Sequence, residues 1–451
     1  KYLLYRIYIL LIINVFILLQ PPSNQRTCVV GAGIAGLASA RYLQQYGANF
    51  TVFEATRHIG GTWHFDPRVG VDEHGIPIFT SMYKNLRTNT PRQTMEFGGF
   101  PFPEGSPSYP SGPCYYKYLK LFVKHFDLIK DIQFQKLVTG IEWVNNRWVV
   151  TAKQADTGVF TEEACDYVII GNGHYTHPLI PNIQGKDNFK GKIIHSHDYR
   201  EPEPYRNRKV LVVGAGASGL DLVTHLIPYV DKLVHSHHLV YNQPNFPKNF
   251  VKKPDIHSFT PDGVMFKDGS FEQIDDVIFC TGYDFDHSFL GENSGVTTSG
   301  KYVLPLYQHL VNIRHPTMMF IGLTGKTITR VLDAQAEYAA ALVAGKFKLP
   351  PKDAMLKSWL SHVYELQANN YKIVDVNLLG PKYQDQYFAN LTAEAGITRA
   401  PPVLTDIMVF NGKIRLDDLL NYRDYDFTII DDHNYDRKYN PRKELDCPID
   451  V

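Results

Sequence analysis

Two stretches of this chain share one pattern. Residues 27–43, TCVVGAGIAGLASARYL, and residues 209–223, KVLVVGAGASGLDLV, each set a short apolar run before Gly-x-Gly-x-x-Gly and a helical period after it. A chain built this way must twice place a buried strand, a tight glycine turn and a helix in that order. After the first turn the helical pattern runs over 34–46, and NFTVFEA, residues 49–55, reads as the returning strand. That closes a βαβ unit of about thirty residues, the context in which such a turn is more than a bend in the chain. After the second turn KLVHSHH, residues 232–238, returns in the same way.

Each glycine has a job in such a turn. The first permits the tight bend, the second lets the backbone approach a pyrophosphate, and the third lets the helix pack on the strand. Gly31, Gly33 and Gly36 occupy these places in the first motif, and Gly214, Gly216 and Gly219 in the second. Glu54 stands 23 positions after Gly31, at the end of the returning strand. A carboxylate there accepts both hydroxyls of an adenosine ribose, which suits FAD. The same offset from Gly214 reaches His237, inside HSHH at 235–238. With no carboxylate there to repel a 2′-phosphate, the second site suits NADPH better than NADH. His237 and His238 would face that phosphate, and the preference should widen as they protonate. Two other readings stay open: a solvated strand end, or a metal pair of His235 and His237, for which no carboxylate or thiol lies nearby in sequence.

Two nucleotide sites in one chain imply electron transfer from nicotinamide to flavin. The five cysteines bear on what the flavin then reduces, and none are spaced as a CxxC pair. Cys28, Cys165 and Cys280 lie in or beside apolar strand patterns and are expected as buried, unpaired thiols. Cys114 and Cys447 lie in loop-like or tail sequence, where a disulfide between them is possible. A disulfide reductase therefore lacks its cysteines, leaving dioxygen or an acceptor protein. The 46 basic residues balance the 46 acidic ones, which gives no support to a nucleic-acid partner.

The expected architecture is α/β, with two Rossmann-like domains and the NADPH domain inserted into a discontinuous FAD domain. The boundaries read are 25–182 and 285–451 for the FAD domain with the C-terminal region, and 183–284 for the NADPH domain. Residues 66–113 read as ordered loops, 333–345 as a helix stopped by Gly345, and the region from 349 as helical and then irregular. The tail after Ile430 is polar, which argues against a C-terminal span. Residues 1–24 stand apart: IYILLIINVFILL at 7–19 follows Lys1 and Arg6. A basic lead and a short apolar run describe a secretory signal peptide. The run covers only about 20 Å against a ~30 Å bilayer core. LLQPPSNQ lacks a small-x-small cleavage pair, so an uncleaved anchor and a buried helix remain alternatives. The expectation is a secreted protein.

FKGKIIHSHDY, residues 189–199, matches F-x-G-x-x-x-H-x-x-x-Y/F through Phe189, Gly191, His195 and Tyr199. With GGTW at 60–63, RTNTP at 87–91 and CTGY at 280–283, this chain resembles the flavin-containing monooxygenase family from about residue 25 to 345. Baeyer–Villiger relatives carry Trp where Tyr199 stands. An N-terminal apolar segment without a C-terminal anchor resembles the insect branch that includes pyrrolizidine-alkaloid N-oxygenases. The resemblance implies that NADPH reduces FAD and that dioxygen adds at flavin C4a. The resulting hydroperoxide would oxygenate a soft nucleophile, a tertiary amine or a sulfide. It implies Asn89 as the hydrogen-bond donor to the peroxide, although on its own Asn89 is an ordinary residue of a Pro-flanked turn. It places Gly61, Thr62 and Trp63 beside the flavin, and Thr88, Ser218, Leu220 and Asp221 on NADP, with Tyr199 and Gln335 as further cofactor residues. The family often has an Arg near the 2′-phosphate, and SHH departs from that. No catalytic triad or carboxylate pair is present, as expected when the cofactor carries the chemistry. The alternatives are an NADPH oxidase releasing hydrogen peroxide and a secreted binding protein on an inactive flavoprotein scaffold.

Overall fold

The computed structural model describes residues 25–325, 327–441 and 447–451. The segment read as a signal peptide or anchor, 1–24, lies outside the described residues. In the first βαβ unit, β1 (Arg26–Val30) leads through the glycine turn into α1 (Ile34–Gln45) and returns as β2 (Asn49–Phe53), parallel to β1. β2 stops at Phe53, so Glu54 sits just beyond the strand rather than in it. On its other edge β1 pairs in parallel with Tyr167–Ile170, which pairs with Met318–Phe320. The first sheet thus joins strands from both ends of the chain, with Leu306–Tyr307 and Ile132–Gln133 at its edges.

Between these passes the chain builds a second, wholly parallel sheet. Its unit is β3 (Lys209–Val213), α2 (Ala217–Leu226) and β4 (Lys232–Ser236). Asp276–Phe279 and Lys192–His195 extend it on one side and Phe250–Lys253 on the other. Both sheets are mixed with helices, so their central strands are buried on two faces and read as unbroken apolar runs. Val210, Leu211 and Val212 show no exposure.

Helix α3 (Thr329–Val343) packs on α1, and its buried Ala336, Ala339 and Ala340 belong to the core that both helices share. It begins four residues before the expected start at 333, because β-branched Thr329 and Val331 weaken the helix signal there. A buried pair, Arg330 to Asp333 at 2.6 Å, opens it, and Tyr42 of α1 donates to the same carboxylate. Among the described residues after 349 the chain forms three α-helices, Lys352–Ala368, Gln384–Ala395 and Val403–Asp417. A hairpin of Tyr425–Ile429 and Tyr435–Tyr439 follows, in sequence expected to be irregular.

The cysteines are arranged differently from the expectation. Cys28 is bonded to Cys165, with Cα atoms 5.9 Å apart, and only Cys280 is a free thiol. Cys165 ends the strand Phe160–Cys165, two residues before Tyr167–Ile170 pairs with β1, and that register brings it to Cys28. A separation of 137 residues hides this adjacency in the sequence. Cys114 is bonded to Cys447, which ties the C-terminal residues to the helix Gly112–His125. Among the described residues no helix is long and apolar enough to cross a membrane.

Candidate active site

Both glycine turns have the same internal geometry. Gly31 and Gly214 have φ of +92° and +101°, a left-handed backbone that glycine adopts without penalty. A Cβ at Gly36 would stand 1.7 Å from the carbonyl oxygen of Gly31, and one at Gly219 would stand 2.0 Å from that of Gly214. The third glycines are therefore required by helix packing. The middle glycines differ in kind. A Cβ at Gly33 would meet only Gly61, 3.7 Å away, and one at Gly216 would meet nothing within 4 Å. Both line a cleft of about 1250 Å³ between the two units, so each leaves a cradle that a methyl group would fill. Each cradle fits a pyrophosphate at a helix N-terminus.

Glu54 lies on the wall of the first cradle. Its Oε2 accepts from the Ala32 amide at 2.8 Å, and its Oε1 from the Thr56 amide and hydroxyl at 2.9 and 2.8 Å. Burial pushes its carboxyl up, and these hydrogen bonds oppose that shift. A carboxylate has about four acceptor sites, so capacity remains for a ribose hydroxyl. Next to it Gly61, Thr62 and Trp63 form a short 3-10 turn. Trp63 packs on Tyr115 at 4.3 Å, and Thr62 is held by Ser81 at 3.2 Å.

On the opposite wall, Thr88 is buried and its hydroxyl has no hydrogen-bond partner among the described residues. The Asn89 carbonyl is fixed by Asn411 at 3.0 Å, and the residue lines the cleft. Ser218 and Asp221, in the first turns of α2, also reach the cleft. Asp221 accepts from Tyr83 and, at 2.6 Å, from Arg423. Arg423 also donates to the Thr88 carbonyl at 3.0 Å. One guanidinium therefore ties the second dinucleotide unit to the loop that carries Asn89. Arg423 is 202 residues from Asp221, and no sequence pattern points to it.

Three residues named by resemblance do not line the cleft. Leu220 is packed in the core. Tyr199 is buried, bonded to His225 at 2.9 Å and set edge-on to Tyr83. Gln335 is buried, accepting from the Gly322 amide and donating to Tyr387, both at 2.9 Å. Tyr199 and Gln335 touch residues of the wall rather than its surface.

The end of β4 also departs from expectation. His237 is buried, and burial pulls its imidazole down to about 4, so it is neutral near pH 7. It carries no charge for a phosphate. His238 is exposed and its Nδ1 lies 3.3 Å from Asp255. The site thus holds a carboxylate after all, supplied by a loop beyond the strand end. Cys280 is buried on the cleft wall, where burial pushes its thiol up to about 12.

The family model described as flavin-binding monooxygenase-like matches residues 24–239 and 246–417. This chain belongs to that family. The monooxygenase is 49% identical over 437 residues to senecionine N-oxygenase of Tyria jacobaeae, covering 96% of this chain and 95% of that protein. It is 33% identical over 371 residues to flavin-containing monooxygenase FMO GS-OX5 of Arabidopsis thaliana, covering 77% and 80% of the two. Among solved structures, S-allyl-L-cysteine S-oxygenase from Allium sativum superposes with a TM-score of 0.82 at 28% identity, over 89% of this chain and 95% of that one. The two-domain dinucleotide-binding architecture is therefore that of a flavin monooxygenase, with FAD and NADPH as its cofactors.

Proposed function

We propose that this monooxygenase N-oxygenates a tertiary amine of the pyrrolizidine-alkaloid type. One oxygen atom of O2 enters the nitrogen lone pair, the other leaves as water, and NADPH with one proton supplies the two electrons and completes the water. The observation that carries this reading is the near-full-length similarity to senecionine N-oxygenase. Bound FAD would supply the acceptance of hydride and the activation of dioxygen. The chain's own residues seat and shield. The turn at Gly33 and the acceptor Glu54 would hold FAD, and the turn at Gly216 with Ser218 would hold NADPH. Thr62 and Trp63 wall the cleft against water. The Asn89 amide is free of side-chain hydrogen bonds among the described residues and can donate to oxygen in the cleft. A tertiary amine carries its own nucleophilic lone pair and needs no protein nucleophile.

The test is coupling. NADPH consumed is compared with N-oxide and hydrogen peroxide formed, with a pyrrolizidine amine and with a dialkyl sulfide. N-oxide formation with little peroxide is expected of the parent protein. Asn89→Ala should keep FAD and its reduction by NADPH, yet lose product roughly 5- to 150-fold, the weight of one hydrogen bond of about 1–3 kcal/mol. Peroxide as the main product of the parent would instead favour an NADPH oxidase.

We also infer that the protein follows the secretory route. Two disulfides support this, since such bonds persist in oxidising compartments. The N-terminal residue of secreted material should lie between about 20 and 26. Membrane-bound protein retaining residues 1–24 would count against it.

A further inference from the structure

A second, smaller cavity of about 340 Å³ adjoins the turn at Gly216 and is lined by Gly214, His237, His238 and Asp255. Asp255 arrives there through topology. Phe250–Lys253 pairs in parallel with β4 as the next strand outward, so the bend that follows it lies beside the end of β4. Ser236 fastens that bend by donating to the Pro254 carbonyl at 2.8 Å. The Asp255 carboxylate then meets an imidazole and an ammonium group. Its Oδ1 is 3.3 Å from His238 Nδ1, and its Oδ2 accepts from Lys267 Nζ at 3.1 Å. A second lysine, Lys252, donates to the carbonyl of Leu239 at 3.3 Å on the same rim.

These groups stand where the adenosine ribose of a dinucleotide falls in a βαβ unit, just past the second strand. Their side chains are 45% exposed for Asp255, 61% for Lys267 and 92% for His238. Ion pairs so exposed are weak and easily exchanged for others. A ribose 2′-hydroxyl is a donor that a carboxylate accepts. A 2′-phosphate is repelled by the carboxylate and attracted by the Lys267 ammonium paired to it.

We propose that Asp255, ion-paired to Lys267 and in contact with His238, sets coenzyme choice, and that the site takes NADH as well as NADPH. With NADH the carboxylate faces the 2′-hydroxyl, and with NADPH the Lys267 ammonium leaves it for the 2′-phosphate, with His238 beside it. The proposal rests on the turn at Gly216 being the coenzyme seat.

The test uses FAD-loaded protein and calorimetric binding of two probes, 2′,5′-ADP and 5′-ADP. Asp255→Asn should tighten 2′,5′-ADP and loosen 5′-ADP, moving their ratio roughly 5- to 10-fold toward the phosphate. Lys267→Met should move the ratio the other way by a similar factor. The ratio of KM for NADH to KM for NADPH should follow the same order. If both probes bind and the ratio stays unchanged in both variants, the proposal is overturned while the coenzyme seat stands. If neither probe binds the parent protein, the seat itself is misplaced and the proposal falls with it.

Discussion

Adding one methyl group at Gly216 separates what the second turn does for the fold from what it does for the coenzyme. Gly216 has φ −71° and ψ −166°, a conformation that alanine adopts freely, and its Cβ would meet nothing within 4 Å. Gly216→Ala should therefore fold, and it should gain about 0.4–1 kcal/mol because alanine has fewer unfolded conformations to lose. The methyl projects into the cradle, where it holds the pyrophosphate away from the amides that open α2. A hydrogen bond to a charged group is worth about 1.5–3 kcal/mol. Losing one weakens NADP+ binding roughly 10- to 150-fold. FAD occupancy should not change, because the first cradle is a separate turn. Titrating NADP+ against flavin fluorescence gives the affinity, and the visible spectrum gives the FAD content. Gly219→Ala is the contrasting control, since its Cβ would stand 2.0 Å from the Gly214 carbonyl and should prevent folding of the unit. If Gly216→Ala binds NADP+ within about twofold of the parent, the cradle does not seat the pyrophosphate.

Three further outcomes follow from the same geometry. Arg423→Ala leaves the Asp221 carboxylate without its guanidinium in a largely buried position, so urea unfolding should show a loss of about 3–5 kcal/mol. Coupling to product should fall with it, since the loop at Asn89 loses its anchor; Arg423→Lys should recover only part, because an ammonium cannot reach Asp221 and the Thr88 carbonyl as a fork does. An Ala variant as stable and as coupled as the parent would show that the tie is idle. For pH, His235 and His237 have imidazoles pulled down to about 3 and about 4 by burial, so between pH 6.5 and 4 they bind protons only when unfolded. Stability should be intact above pH 6.5 and fall as pH drops through that window, with a proton uptake on unfolding that His237→Gln reduces. The NADPH preference should not rise with protonation of His237 between about pH 6 and 8, the range around an unperturbed imidazole. A rise that His237→Gln abolishes would show that the ring is charged.

The parts legible in the sequence are those whose physics is local. A strand, a glycine turn and a helix lie within a few residues of one another, so both βαβ units, their middle glycines and Glu54 could be read directly. Boundaries slipped where local signals were weak, as at the β-branched start of α3 and in the polar hairpin after Tyr425, whose strands are held by each other rather than by an apolar face. Tertiary structure decided everything that depends on strands meeting across long separations. The parallel register of β1 with Tyr167–Ile170 made a disulfide of Cys28 and Cys165, two cysteines that each look like a buried thiol alone. The outward strand Phe250–Lys253 delivered Asp255 to the end of β4, where the sequence around His237 shows no carboxylate. Burial made His237 neutral, although its place in the pattern called for charge. Arg423 entered the site only because the C-terminal region folds back over both units. Pairing between distant segments is set by the summed packing of whole sheets, and no short window of sequence carries that sum.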